Sequence, residues 1–280
     1  MTTGDSKIRI SVDKKKKKWY TENNGISPGR EKREVNGMFV IELAEKRVRI
    51  QNQYPFVERQ CRELGYTVPG TDADFEVRVT DEEIAGEQAQ SPREHTPGYC
   101  ESICVYRKIC EKMPEYGVFI LHSAVVEVDG LAYAFAAKSG VGKSTHLSLW
   151  LKAIPGARVL NGDKPLFRLE TDGSITVFGT PWQGKENWGY NGKAKLAALC
   201  FLERGEVNRI CRADEDEVIA RVLHQLLLRG SRELVNRQLA LLDKLIHAVP
   251  YFILQCNISE EAAVLCYQTM RRTIEREETK

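Results

Sequence analysis

The nine residues Ala137-Lys138-Ser139-Gly140-Val141-Gly142-Lys143-Ser144-Thr145 constrain this chain more than any other stretch. They fit a phosphate-binding loop, with Ala137 where the first glycine usually stands. In such a loop backbone N–H groups line an anion-sized hollow, a lysine reaches the outer phosphates, and the following hydroxyl ligates Mg²⁺. The flanks required are a strand before and a helix after. Leu131–Ala136 alternates large and small apolar residues, as a buried strand does. Leu147, Trp150 and Leu151 recur at helical spacing on one face, and a helix starting at Ser144 adds its positive dipole end. Asp129-Gly130 joins Ala124–Val128 to Leu131–Ala136, and Asp-Gly between two such runs predicts a hairpin. The expected order is hairpin, loop, helix.

Much else is excluded by composition. The chain has 280 residues, with 41 basic and 39 acidic side chains for a net charge of +2, which argues against general nucleic-acid binding. It has no apolar run of the roughly 18 residues that span a bilayer. It begins Met1-Thr-Thr-Gly-Asp without the apolar stretch of a secretion signal, so the expected compartment is the cytoplasm. Of eight cysteines, Cys200, Cys256 and Cys266 sit in apolar segments as small core residues. Cys100, Cys104 and Cys110 match no standard zinc spacing and read as reduced structural thiols, with a metal site as the alternative.

Three regions are expected. Residues 1–36 form a polar, basic arm carrying Lys14 to Lys18, either a solvated tail or an anchor for an acidic partner. Residues 37–112 form a small α+β unit: paired strands at Met38–Leu43 and Arg47–Ile50, a helix at Pro55–Leu64, a strand at Phe75–Val79, and a helix at Pro97–Met113. No chemistry stands out in it. Residues 113–280 form the nucleotide domain, an α/β fold with a mixed sheet. Val118–Leu121 leads to His122. Arg158–Leu160 ends at Asn161-Gly162-Asp163. Pro165–Leu169 and Ile175–Phe178 form a hairpin, and Ala197–Glu203 with Val207–Cys211 is expected to form another. Helices follow at Asp214–Arg229, with Leu226 and Leu227 in its stripe and Gly230 as its stop, and at Ser231–Val249. A strand at Tyr251–Cys256 precedes a last helix capped by Ser259.

Phosphoryl transfer needs a metal-holding carboxylate, cations for the moving charge, and a group to orient the acceptor. Asp163, at a strand end, suits the first role; the alternative is an Asx turn in Asn161-Gly162-Asp163-Lys164-Pro165. His122 is either a structural strand-end histidine or part of the site. The run from Gly179 to Lys193 is glycine-rich yet carries two tryptophans and two lysines, the mark of a functional loop. There Lys185 can neutralise phosphate charge, and Trp182 or Trp188 can wall the acceptor pocket. The bland reading is a surface loop with anchoring aromatics.

Leu121-His122, the hairpin, Ser139-Gly140-Val141-Gly142-Lys143-Ser144 and Asp163 together resemble the HPr kinase/phosphorylase superfamily, whose nucleotide domain is related to phosphoenolpyruvate carboxykinase. The likeness covers roughly residues 116–256, and the loops around Asn161-Gly162-Asp163 and Gly179–Glu186 look like a divergent branch. The resemblance implies transfer of the terminal phosphoryl group of ATP or GTP to a serine hydroxyl on a peptide or protein. It implies that Ala137 to Thr145 bind the nucleotide, that Ser144 and Asp163 hold Mg²⁺, and that His122 positions the acidic centre; it is also compatible with a homo-oligomer. The family usually has adjacent aspartates here, whereas this chain has Gly162-Asp163, and its later signature with paired basic residues is absent. Asp163 then serves both roles, or the base lies elsewhere, or turnover is weak. Two alternatives accompany the kinase: a nucleotide-dependent binding protein, and a kinase of a small serine-like metabolite.

Overall fold

The computed structural model describes residues 37–138, 140–225 and 231–279. The arm over 1–36, Ser139 of the loop, and Leu226, Leu227 and Gly230 lie outside the described residues. Among the described residues, no helix is long and apolar enough to cross a membrane.

Among the described residues, the first sheet has three strands in the order β1 (Gly37–Leu43), β2 (Lys46–Asn52), β3 (Phe75–Arg78). β1 and β2 are antiparallel, and β3 runs parallel to β2. The parallel step needs a crossover, supplied by α1 (Pro55–Glu63), which starts with proline in its first turn. α2 (Asp81–Gln90) opens with a capping box between Thr80 and Glu83. α3 (Pro97–Lys112) is capped by Thr96 and buries Cys100, Cys104 and Cys110 as free thiols. No group of three or more metal-ligating side chains occurs among the described residues. The apolar cluster around α3 continues into Ile120, Leu166 and Phe178 of the larger sheet and Trp182 of the loop after Phe178.

Among the described residues, the larger sheet has nine strands. β4 (Val118–Ile120), β5 (Ala124–Val128) and β6 (Leu131–Ala136) precede α4 (Lys143–Ala153) and β7 (Arg158–Asn161). The β5–β6 turn holds Asp129 at φ 51° and Gly130 at φ 80°, the two left-handed positions of a tight hairpin, and Val128 pairs Leu131 as expected. β8 (Leu166–Leu169) and β9 (Ile175–Phe178) form the next hairpin. β10 (Lys193–Arg204) is twelve residues long. It pairs antiparallel with β9 at its start, and parallel with β6 and with β12 (Tyr251–Cys256) further on.

One expectation fails here. β11 (Arg209–Arg212) does not return along β10 as a hairpin; it pairs antiparallel with β12, which lies between them. The residues give the reason. Tyr251, Phe252, Ile253 and Leu254 are all buried and need neighbours on both sides. β11 is largely exposed, with arginine at both ends, which suits a sheet edge. α5 (Glu215–Val222) and α6 (Arg232–Ala248) cover one face, and α7 (Glu260–Glu278) packs with α4 on the other.

α4 is held by an aromatic cluster. Trp150 is fully buried against Tyr133, Phe135 and Tyr267; burying a side chain of this size stabilises the fold by about 2–3 kcal/mol. Its indole N–H donates to His146 Nε2 at 2.9 Å, so that nitrogen carries no proton in the native state. Burial pushes His146 down to about 4 from an ordinary 6.5. Below 6.5 the unfolded chain takes up a proton the native state refuses, so stability falls with pH towards 4, by about 3 kcal/mol in full. His146→Gln, which can still accept from Trp150, is expected to flatten this part of the pH dependence. Urea midpoints at pH 7 and pH 4.5 test it; equal losses in wild type and variant would refute it.

Candidate active site

The sequence places a turn, a lysine and a carboxylate far apart, and the sheet brings them together. β6 ends at Ala136, and Gly140 (φ 81°) and Gly142 (φ 125°) bend the chain through left-handed conformations into α4. Only glycine adopts these at low cost. Arg204, at the end of the neighbouring β10, donates to the carbonyls of Gly140 and Val141 and fixes the turn from outside. The helix begins at Lys143, one residue earlier than expected, with no side-chain cap. The N–H groups of its first turn therefore face the turn's hollow, where an anion is favoured.

β7 ends at Asn161, which is fully buried. Its Oδ1 accepts from the backbone N–H groups of Asp163 and Lys164 at 2.9 and 2.8 Å, and its Nδ2 donates to Thr180 Oγ1 at 3.0 Å. An Asx turn is present, and Asn161 makes it. The Asp163 carboxylate is left to face the site, where its Oδ1 lies 3.0 Å from His122 Nε2. That nitrogen is 3.4 Å from Lys143 Nζ, so the three side chains form one contiguous group.

Electrostatics sharpen this picture. Burial acts to raise the Asp163 pKa, but the hydrogen bond from His122 and the charges of Lys164, His122 and Lys143 outweigh it and hold the carboxyl below its ordinary value. It is an anion at neutral pH. For Lys143 burial prevails and lowers the ammonium pKa against the pull of Asp163. A half-buried lysine with incomplete charge compensation gains from an anionic ligand.

The group opens into a cleft of about 470 Å³, at the carboxyl ends of the parallel strands β6 and β10, where open α/β sheets commonly bind ligands. Lys138, Lys143, Lys164 and Lys185 line it, against the carboxylates of Asp163 and Glu186. Four cations facing two anions favour a polyanionic occupant. Lys138, Gly140, Gly142, Lys143, Ser144 and Thr145 line the cleft. Ala137 and Val141 instead pack their side chains into the core beneath α4. Lys185 lines the cleft from the exposed loop.

The two tryptophans part company. Trp182 lines the cleft, stacked on Tyr106 with centroids 4.1 Å apart. Trp188 does not line it; it packs against the core beneath α4, which removes it as a pocket wall. The reason is Gly162. A Cβ there would lie 2.7 Å from the Gln183 carbonyl and 3.2 Å from that of Trp188, so the loop lies directly on the main chain and Trp188 is drawn inward. Gly184 (φ 78°) packs likewise on the Asp163 Cβ.

Several lining residues were not visible in the sequence. Phe56 and Gln60 of α1, with Tyr99, Ser102 and Ile103 of α3, form the far wall of the cleft, in the unit where no chemistry was expected. No local motif marks them; only the packing of α1 and α3 onto the 180–182 loop brings them there. Glu186 and Lys164 lay inside motifs already singled out, but without a role.

No protein-family model and no curated protein matches the chain. Among solved structures, it is similar to the Hpr(Ser) kinase/phosphatase from Coxiella burnetii, at 10% sequence identity and a TM-score of 0.34, covering 57% of this chain and 93% of that one. A likeness this loose is distant and structural, and what the site does rests on its own residues.

Proposed function

We propose that the chain is a phosphotransferase that passes the terminal phosphoryl group of ATP or GTP to a serine hydroxyl on a peptide or protein. The observation that carries the reading is the contiguous group of Lys143, His122 and Asp163 at the mouth of a strand–loop–helix turn. The turn's amides and the α4 N-terminus bind the phosphates, and Lys143 neutralises the outermost one, regaining the charge compensation it lacks. Lys185 adds a second cation from the opposite loop.

The Ser144 hydroxyl and the Asp163 carboxylate are hard oxygen donors of the kind Mg²⁺ takes, and Mg²⁺ with substrate phosphates needs only one or two carboxylates from the protein. They fit that ion, which when bound offsets charge on the terminal phosphates. Asp163 also faces the acceptor. The serine oxygen bonds to the terminal phosphorus as the bond to the bridging oxygen breaks and the nucleoside diphosphate leaves. The hydroxyl proton passes to Asp163, whose carboxylate His122 Nε2 holds in place by donating to it. Because the transition state is loose, the proton moves late and a weakly basic carboxylate suffices.

A second reading, a nucleotide-dependent binding protein with little turnover, is favoured by the sealed slot at Gly162, which leaves one carboxylate beside Lys143. Incubation with γ-labelled ATP, Mg²⁺ and serine-containing peptides separates the two. The kinase labels serine; the binding protein retains nucleotide and labels nothing.

A further inference from the structure

The far wall of the cleft has a chemistry of its own. The side-chain polar groups of Ser102, Gln60 and Trp182 are committed to one another and to the loop backbone. Ser102 Oγ donates to Gln60 Oε1 at 2.8 Å, Gln60 Nε2 donates to the Pro181 carbonyl at 3.0 Å, and the Trp182 indole N–H donates to Ser102 Oγ at 3.0 Å. These bonds tie α1, α3 and the 180–182 loop into one rigid edge. What that edge offers an incoming group is carbon: the Phe56 ring set edge-on to Tyr99, with centroids 5.9 Å apart, and the half-buried Ile103.

This wall stands on one particular side of the reacting group. Tyr106 of α3 donates its hydroxyl to the Lys164 carbonyl at 2.7 Å, and Thr180 Oγ1 donates to the same carbonyl at 2.8 Å. The wall is therefore anchored to the residue next to Asp163. Thr145 lines the cleft from the first turn of α4, on the side of the phosphate turn. A carbon surface tied to the Asp163 side of the cleft suits the acceptor.

We propose that Phe56, Tyr99 and Ile103 form the acceptor subsite, and that it takes a serine carried beside a large apolar or aromatic side chain in a peptide segment. The inference rests on the kinase reading above and adds the class of acceptor. The flanking side chain lies against the three residues and brings the serine hydroxyl to Asp163. Transfer then makes the serine O–P bond, breaks the bond to the bridging oxygen, and sends the hydroxyl proton to Asp163. Free serine and serine between glycines or lysines leave the wall uncovered and are poor acceptors. A missing apolar contact of this size costs a factor of about 10–200 in selectivity.

The test uses the full chain, Mg²⁺, γ-labelled ATP and a pool of decapeptides with a central serine and randomised neighbours. The expected result is labelled peptides enriched in Leu, Ile, Phe and Trp beside the serine. The best of them should show a KM raised about tenfold in Ile103→Ser, with kcat within about twofold. Mg-ATP affinity by calorimetry should be unchanged in Ile103→Ser, which also shows that the variant is folded; Phe56→Leu, a milder change, provides a second reading. Labelling without neighbour preference, preference unchanged in both variants, or free serine labelled as well as peptide would each overturn the subsite. So would lost Mg-ATP affinity in both variants, which would make the wall a nucleoside site. Mg-ATP binding to wild type with no peptide labelled overturns the acceptor class and leaves nucleotide binding standing. No Mg-ATP binding to wild type brings down the kinase reading and the subsite with it.

Discussion

Asp163→Asn is expected to slow phosphoryl transfer by about two to three orders of magnitude while nucleotide affinity changes only a few-fold. The size follows from what one preorganised electrostatic contact contributes to a transition state, about 3–4 kcal/mol of barrier. Asparagine keeps the shape and can still contact His122, but it carries no charge and cannot accept a proton. Asp163 is an anion at neutral pH, held so by His122, Lys164 and Lys143 despite its burial. On the proposed reaction, the substitution removes a full charge from beside the transferring phosphate. Single-turnover rates with γ-labelled ATP and calorimetric affinities separate the two effects. A variant that transfers at the wild-type rate would remove Asp163 from the chemistry and leave it as a partner of His122.

The second large effect is on binding. Lys143→Ala is expected to weaken Mg-ATP binding by about a hundredfold or more, because truncating one partner of a desolvated charge pair costs about 2–5 kcal/mol. The unliganded protein should not suffer. Lys143 lies in the first turn of α4, where alanine is a good helix former, and removing an ammonium whose pKa burial lowers relieves a desolvation cost. Melting curves show both sides at once. Nucleotide at about a hundred times its Kd stabilises wild type by about 2.7 kcal/mol. The variant should melt at or above the wild-type temperature without nucleotide and gain almost nothing from it. An undiminished nucleotide response would mean that the turn before α4 does not hold the phosphates.

Local chemistry made the centre of this molecule readable from its residues. Asp129-Gly130 needs two left-handed positions, and the hairpin follows. Gly140 and Gly142 bend where only glycine bends freely, and a carboxylate two residues past a strand end reaches the same opening. The turn at Asn161-Gly162-Asp163 is made by Asn161, which leaves the Asp163 carboxylate to line the cleft. The failures are failures of range. Val207–Cys211 has every local sign of a hairpin with the strand before it, but β12 is more apolar and takes the inner place. No local motif marks Phe56, Tyr99 or Ile103 as lining a cleft. Their position at the cleft depends on bonds from α1 and α3 to a loop about 80 to 120 residues away, such as Gln60 to Pro181 and Trp182 to Ser102. Trp188 shows the same limit, since its inward turn is set by the contact of its carbonyl with Gly162.

That contact has a consequence for how such a site can change over time. With the Gln183 carbonyl within 2.7 Å of where a Cβ at position 162 would stand, no acidic side chain can be introduced there while the 183–188 segment keeps its course. Position 162 and this loop are therefore constrained together, and a chain that kept the loop would have no single-residue route to a second carboxylate there.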